Sequence, residues 1–117
     1  MIRVEIPIRT LSEMNARAHW AERAQRAKRH RQMTHWALLT ASRPQLPCTV
    51  TLIRIAPRKL DGDNLQASFK AARDGVADWL KVDDRDPRVT WCYAQRRGEP
   101  KRYAVEVCIE PAGGGAR

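Results

Sequence analysis

The 117-residue chain has no apolar run approaching ~18 residues, so no stretch reads as a membrane-spanning helix. A secretory signal pattern is also missing at the N-terminus, and the expected setting is therefore a soluble cytoplasmic protein. Cysteine is scarce: Cys48, Cys92 and Cys108 are odd in number and lack zinc-ligand spacing. That argues against a disulfide framework and a zinc ribbon, and the three thiols are expected to sit buried in strands. Acidic residues are outnumbered, 13 against 22 lysines and arginines, for a net charge of +9. The isoelectric point near 10.3 makes a polyanion the expected partner, either nucleic acid or an acidic membrane surface.

What is present fits one ordinary globular core, with a hydrophobic fraction of 43%. The expected domain covers residues 1–110, and 111–117, with three consecutive glycines, reads as a flexible tail. Ile2, Val4, Ile6 and Ile8 alternate with polar residues, the period of a half-buried strand, and Pro7 marks an edge or an end. From about Asn15 to Thr40 the pattern becomes helical, with Ser12 or Asn15 able to cap the start. Its apolar face is expected from Ala16, Trp20, Ala24, Ala27, Met33, Trp36, Ala37 and Thr40. Its other faces carry Arg17, Arg23, Arg26, Lys28, Arg29 and Arg31 and the three histidines, a density of bases suited to phosphate contacts.

Cys48 to Ile55 reads as a central strand, ended by Pro57. Leu65, Phe69, Ala72, Val76, Trp79 and Leu80 share one stripe, which predicts a single helix from Asn64 to Lys81 capped by Asp63 or Asn64. Gly75 inside it costs about 1 kcal/mol against alanine, and close approach of another backbone would account for it. Arg88 to Arg96 and Tyr103 to Ile109 alternate as strands, and Arg97-Gly98-Glu99-Pro100 between them reads as a hairpin turn. The order β-α-β-α-β-β predicts an α/β (α+β) domain with a mixed sheet packed against two helices. The middle β-α-β unit would be a parallel crossover and the last two strands an antiparallel hairpin.

Between residues 61 and 86 seven aspartates face four bases, a local balance of −3, so the rest of the chain carries +12. An acidic island in a basic body is the layout of a metal-dependent enzyme acting on nucleic acid. Two carboxylates in Asp61-Gly62-Asp63, at the end of a strand, can grip or flank a cation, and a crossover could return Asp84 towards them. Like charges ~4 Å apart repel by roughly 4 kcal/mol at an effective dielectric of ~20, which favours neutralisation by a cation. All-oxygen donors suit Mg²⁺ or Mn²⁺. A calcium loop fails, because Gln66 and Ala72 stand where glycine and glutamate are required. The plainer reading is that Asp61 and Asp63 shape a turn and cap the helix.

Leu60-Asp61-Gly62-Asp63-Asn64-Leu65, then Lys70-Ala71-Ala72-Arg73-Asp74, then Val82-Asp83-Asp84, resemble the RusA family of Holliday junction resolvases over residues ~48 to 109. The resemblance implies that Asp61, Asp63 and Asp84 ligate Mg²⁺ and act with an essential lysine. It also implies a homodimer that resolves four-way DNA junctions by paired symmetric nicks in recombination and repair, in a bacterium, phage or prophage. The chain departs from the family at the lysine, having Ala67 six residues after the first aspartate. The role then falls to Lys70, one helical turn on, with Lys81 as fallback. The phosphate contacts are expected from the bases of the first helix together with Arg58 and Lys59. The rival expectations are a non-catalytic nucleic-acid-binding protein with a degenerate acidic turn, and a nuclease for another branched substrate or for RNA.

Overall fold

The computed structural model describes residues 1–10 and 20–112. The elements are β1 (Ile2–Ile6), α1 (Trp20–Leu38), β2 (Cys48–Ala56), α2 (Gly62–Ser68), α3 (Lys70–Leu80), β3 (Val89–Arg97) and β4 (Ala104–Pro111). Four strands form one mixed sheet in the order β1-β4-β2-β3. β2 runs parallel to β3, and β4 runs antiparallel to both β2 and β1. This is an α+β domain whose central β-α-β unit is parallel, as the pattern predicts. Among the described residues no helix is long and apolar enough to cross a membrane.

The expected β3–β4 hairpin is not formed. β2 lies between the two strands, and the connection from Gly98 to Tyr103 passes over the end of β2. Gly98 donates its N–H to Ala56 O at 2.9 Å, and a Cβ there would meet Ile55 Cγ2 at 2.9 Å. Two strand spacings are about 10 Å, which the connection spans easily. Burial explains the choice. Every residue from Ala104 to Ile109 is buried, as a strand with neighbours on both sides requires, whereas β3 ends in exposed Arg96 and Arg97 and serves as an edge. Pairing continues to Pro111 opposite Cys48, and Ala112 donates to Pro47 O, so the ordered chain extends past residue 110. Residues 113–117 of the expected tail lie outside the described residues.

The single helix expected from Asn64 to Lys81 is two. Ser68 Oγ donates to Leu65 O at 2.7 Å, and Phe69 N–H bonds Gln66 O in a tighter turn. Phe69 (φ −94°, ψ 0°) is the joint, and its fully buried ring stacks on Tyr93 with centroids 5.7 Å apart. The stripe itself holds: Leu65, Phe69, Ala72, Val76, Trp79 and Leu80 all enter the core with Val50, Leu52, Val105 and Val107. Three helices, rather than two, thus cover one face of the sheet.

On α1 the inward face is rotated from the one expected. Thr34 and Leu38 are buried and Met33 and Ala37 pack on the core, whereas Trp36 is 61% exposed and Trp20 70%. The expected caps and first turn of this helix, including Ser12, Asn15 and Arg17, lie outside the described residues. Cys48 and Cys108 are buried in strands, and burial pushes both thiols up from their ordinary values. Cys92 is exposed on the edge strand, contrary to expectation, because its side of β3 turns away from the helices.

Candidate active site

The acidic turn follows the C-terminal end of β2, and two neighbouring side chains fasten the backbone that leads to it. Arg54 and Gln95 are register partners on β2 and β3. Gln95 accepts from Leu60 N–H at 3.0 Å and donates to Leu60 O at 2.8 Å, replacing a strand's pair of backbone bonds with one side chain. Arg54, 6% exposed, donates to Arg58 O and, at 2.9 Å, to Thr10 Oγ1. Its partners are neutral oxygens, and burial pushes its guanidinium down from the usual arginine value. Removing the Gln95 amide leaves a part-buried peptide without partners. Gln95→Ala is expected to lower stability by about 2 kcal/mol and to loosen the turn, read as a lower midpoint in urea and faster amide exchange at Leu60.

Asp61 is the N-cap of α2, its Oδ1 accepting from Asn64 N–H at 3.2 Å. Asp63 stands in the first turn, exposed, where the helix dipole favours negative charge. Lys70 opens α3 and turns the other way: its Nζ lies 2.9 Å from Asp74 Oδ1, an i, i+4 pair directed towards the C-terminus. Asp84 lies on the connection into β3, with Oδ2 3.5 Å from Arg73 Nε. Its carbonyl accepts from Arg73 Nη2 at 2.7 Å and from Trp91 Nε1 at 3.1 Å.

The aspartates are therefore spread along β3 rather than gathered, and Lys70 is turned to Asp74 on α3. Leu60, beside Asp61, is tied to Gln95, and Asp84 is tied to Trp91. Those anchors are four residues apart, about 13 Å along the strand. Among the described residues no three His, Cys, Asp or Glu side chains are grouped so as to hold a metal ion. In donor chemistry Asp61 and Asp63 suit a hard divalent cation. Asp84 does not join them in this arrangement. The remaining aspartates have structural partners, as their positions lead one to expect. Asp83 Oδ1 and Asp86 Oδ1 accept from Arg85 and Arg88 N–H and shape the connection, and Arg88 holds the Asp86 carboxyl down at about 2. Asp74 and Asp78 face bases on the helices.

The basic residues divide as well. Arg23, Arg26, Lys28, Arg31 and Lys70 border a groove of about 550 Å³ between α1 and the α2–α3 pair, above small residues such as Ala24, Ala27 and Ala71. Arg31 is committed to α3, however. Its Nε and Nη2 donate to Asp78 at 2.6 and 2.7 Å, and this pairing draws the Asp78 carboxyl down from its usual value. Arg29, Arg58 and Lys59 are exposed outside this groove, and Arg17 lies outside the described residues.

Arg73, Trp91, Tyr93, Gln95 and Arg54 were not among the residues expected to form the site. Their signal was in the sequence. Trp91, Tyr93 and Gln95 alternate on one face of β3, and Arg73 falls four residues after Phe69 and three before Val76, an arginine inside an apolar stripe.

No family model matches the chain, and a search of curated proteins returns no match.

Proposed function

We propose that the chain is a Mg²⁺-dependent endodeoxyribonuclease for branched DNA, similar in kind to the RusA-family resolvases, nicking four-way junctions in symmetric pairs as a homodimer. On this reading it acts in recombination and repair in the cytoplasm of a bacterium or phage-infected cell. The observation that carries the proposal is the Asp61-Gly62-Asp63 turn, which follows the central parallel strand, is pinned by Gln95 and Arg54, and opens the short helix α2 whose other end, Ala67 and Ser68, lines a groove bordered by bases. Asp61 and Asp63 would hold Mg²⁺ or Mn²⁺, whereas Asp84, the third donor that the resemblance implies, stands apart from them and pairs with Arg73. Such an ion supplies water activation and charge screening at a phosphate. Lys70, freed from Asp74 by a competing phosphate, would stabilise developing negative charge, and Arg23, Arg26, Lys28, Arg29, Arg58 and Lys59 would bind the backbone.

One observation favours a second reading. Asp84 is already paired with Arg73, the arrangement expected of a non-catalytic nucleic-acid-binding protein with a degenerate acidic turn. Synthetic four-way junction, flap, duplex, single-stranded DNA and RNA, offered at one salt concentration with Mg²⁺, separate the readings. Paired nicks in the junction, absent in Asp63→Asn, support the nuclease. Binding without cleavage of any substrate supports the second reading, and cleavage confined to flaps or RNA keeps the chemistry but changes the substrate. Junction affinity is expected to fall by roughly 10³-fold or more between 50 and 200 mM salt if six or more phosphates are neutralised.

A further inference from the structure

One face of α1 carries side chains that the fold does not use. Gln25, Arg29, Gln32 and Trp36 recur at helical spacing on the side opposite buried Thr34 and Leu38, and all four are exposed. Leu39 is exposed just beyond them, and two large apolar side chains left together in water mark an interaction surface. The stripe from Gln25 to Trp36 is about 16 Å long, the length of about five stacked nucleotides at ~3.4 Å each. Charge selects the partner. From Arg23 to Leu60 the chain has no aspartate or glutamate. Arg31 is taken up by Asp78, but Arg29 meets no carboxylate among the described residues. A second copy would bring arginine against arginine here, whereas a polyanion finds only bases. The two glutamines can donate or accept, so they serve phosphate and base edges alike. In a duplex the flat faces of the bases are covered by their neighbours, and a lone indole stacks only on a base that is unpaired.

We infer that this stripe binds single-stranded nucleic acid, with Trp36 stacked on an unpaired base and Arg29 on the phosphates beside it. The site deepens the nucleic-acid binding proposed above, on which it rests, and requires neither the metal nor the cleavage step. Stacking and phosphate contact leave different signatures. A stacked ring adds affinity for unpaired bases at any salt concentration, whereas a phosphate contact adds to the salt dependence.

The test is fluorescence anisotropy of the full chain with a labelled single-stranded oligodeoxynucleotide, its ribonucleotide counterpart and the same sequence as a blunt duplex. Sedimentation velocity and thermal unfolding accompany each protein. Trp36→Ala is expected to weaken single-strand binding by about 10-fold or more and duplex binding by less than about 2-fold, with the salt slope unchanged. Trp36→Phe keeps a ring and is expected to stay within a few-fold of the wild type. Arg29→Gln is expected to make the salt slope shallower by about 1. Should Trp36→Ala not fold, quenching of tryptophan fluorescence by the single strand, larger in the wild type than in Trp36→Phe, supports the stacking, and equal quenching refutes it. A loss confined to the deoxy or the ribo strand assigns the site to DNA or to RNA. Unchanged single-strand affinity in folded Trp36→Ala, or equal losses on single strand and duplex, overturns the stacking role and leaves nucleic-acid binding standing. A wild-type dimer that Trp36→Ala dissociates without altering affinity gives the stripe to a second copy instead. No binding of any nucleic acid by the wild type overturns the function proposed above and this site together.

Discussion

Replacing Gly75 with alanine is expected to destabilise the protein by about 3 kcal/mol, although alanine is the better helix former by about 1 kcal/mol. A Cβ at Gly75 would lie 2.5 Å from Arg31 O and 2.7 Å from Thr34 Cβ. One of these is backbone, and the other belongs to a fully buried residue whose hydroxyl is bonded to His30 O at 2.8 Å. Neither can turn aside, so α1 and α3 must separate. The Arg31–Asp78 fork bridges the same two helices and would be stretched by the same movement. A lower urea midpoint with an unchanged slope is the expected result, with the melting temperature falling on the order of 10 °C. A gain of about 1 kcal/mol would show that the helices do not touch there, because only the propensity difference would remain.

The same contact shows what can be read from this sequence. A glycine inside an otherwise good helical stripe points to a neighbouring backbone, and one is there. The strands were legible because Ile2–Ile6 and Cys48–Ala56 alternate cleanly. Their order was less so. Arg97-Gly98-Glu99-Pro100 has the chemistry of a turn in a hairpin or in a crossover of similar length, and local pattern does not distinguish them. The unbroken burial of Ala104 to Ile109 was the better guide, but Glu106 obscures it. That glutamate is 8% exposed and keeps its place beside Arg3 and Arg96. On α1, Trp36 drew the expected apolar face towards itself, whereas α3 selects the side bearing Thr34 because small residues let the two helices approach. The acidic turn was read from its residues, but its supports were not. Spacing puts Gln95 and Arg73 on the inward faces of their elements, but their partners are backbone atoms 35 and 11 residues away, which no spacing rule names.

The largest expected effect on activity separates the two uses of the turn. If Asp61 only caps α2, Asp61→Asn should be nearly silent, since asparagine caps as well as aspartate, and Asp61→Ala should cost about 1 kcal/mol. Under the proposed nuclease function Asp61→Asn keeps the cap and removes the charge. Junction nicking is then expected to fall by about 100-fold or more with stability almost unchanged. Asp63 sharpens the comparison because the cap bond is made by Asp61. Asp63→Asn is expected to match Asp61→Asn in activity and the wild type in its urea midpoint. Single-turnover nicking at saturating Mg²⁺, with denaturation of the same samples, reads both quantities. Nicking that follows stability, lost in Asp61→Ala but kept in both asparagine variants, would identify the turn as structure alone. Nicking that follows charge, lost in both asparagine variants at full stability, would assign the carboxylates to the chemistry.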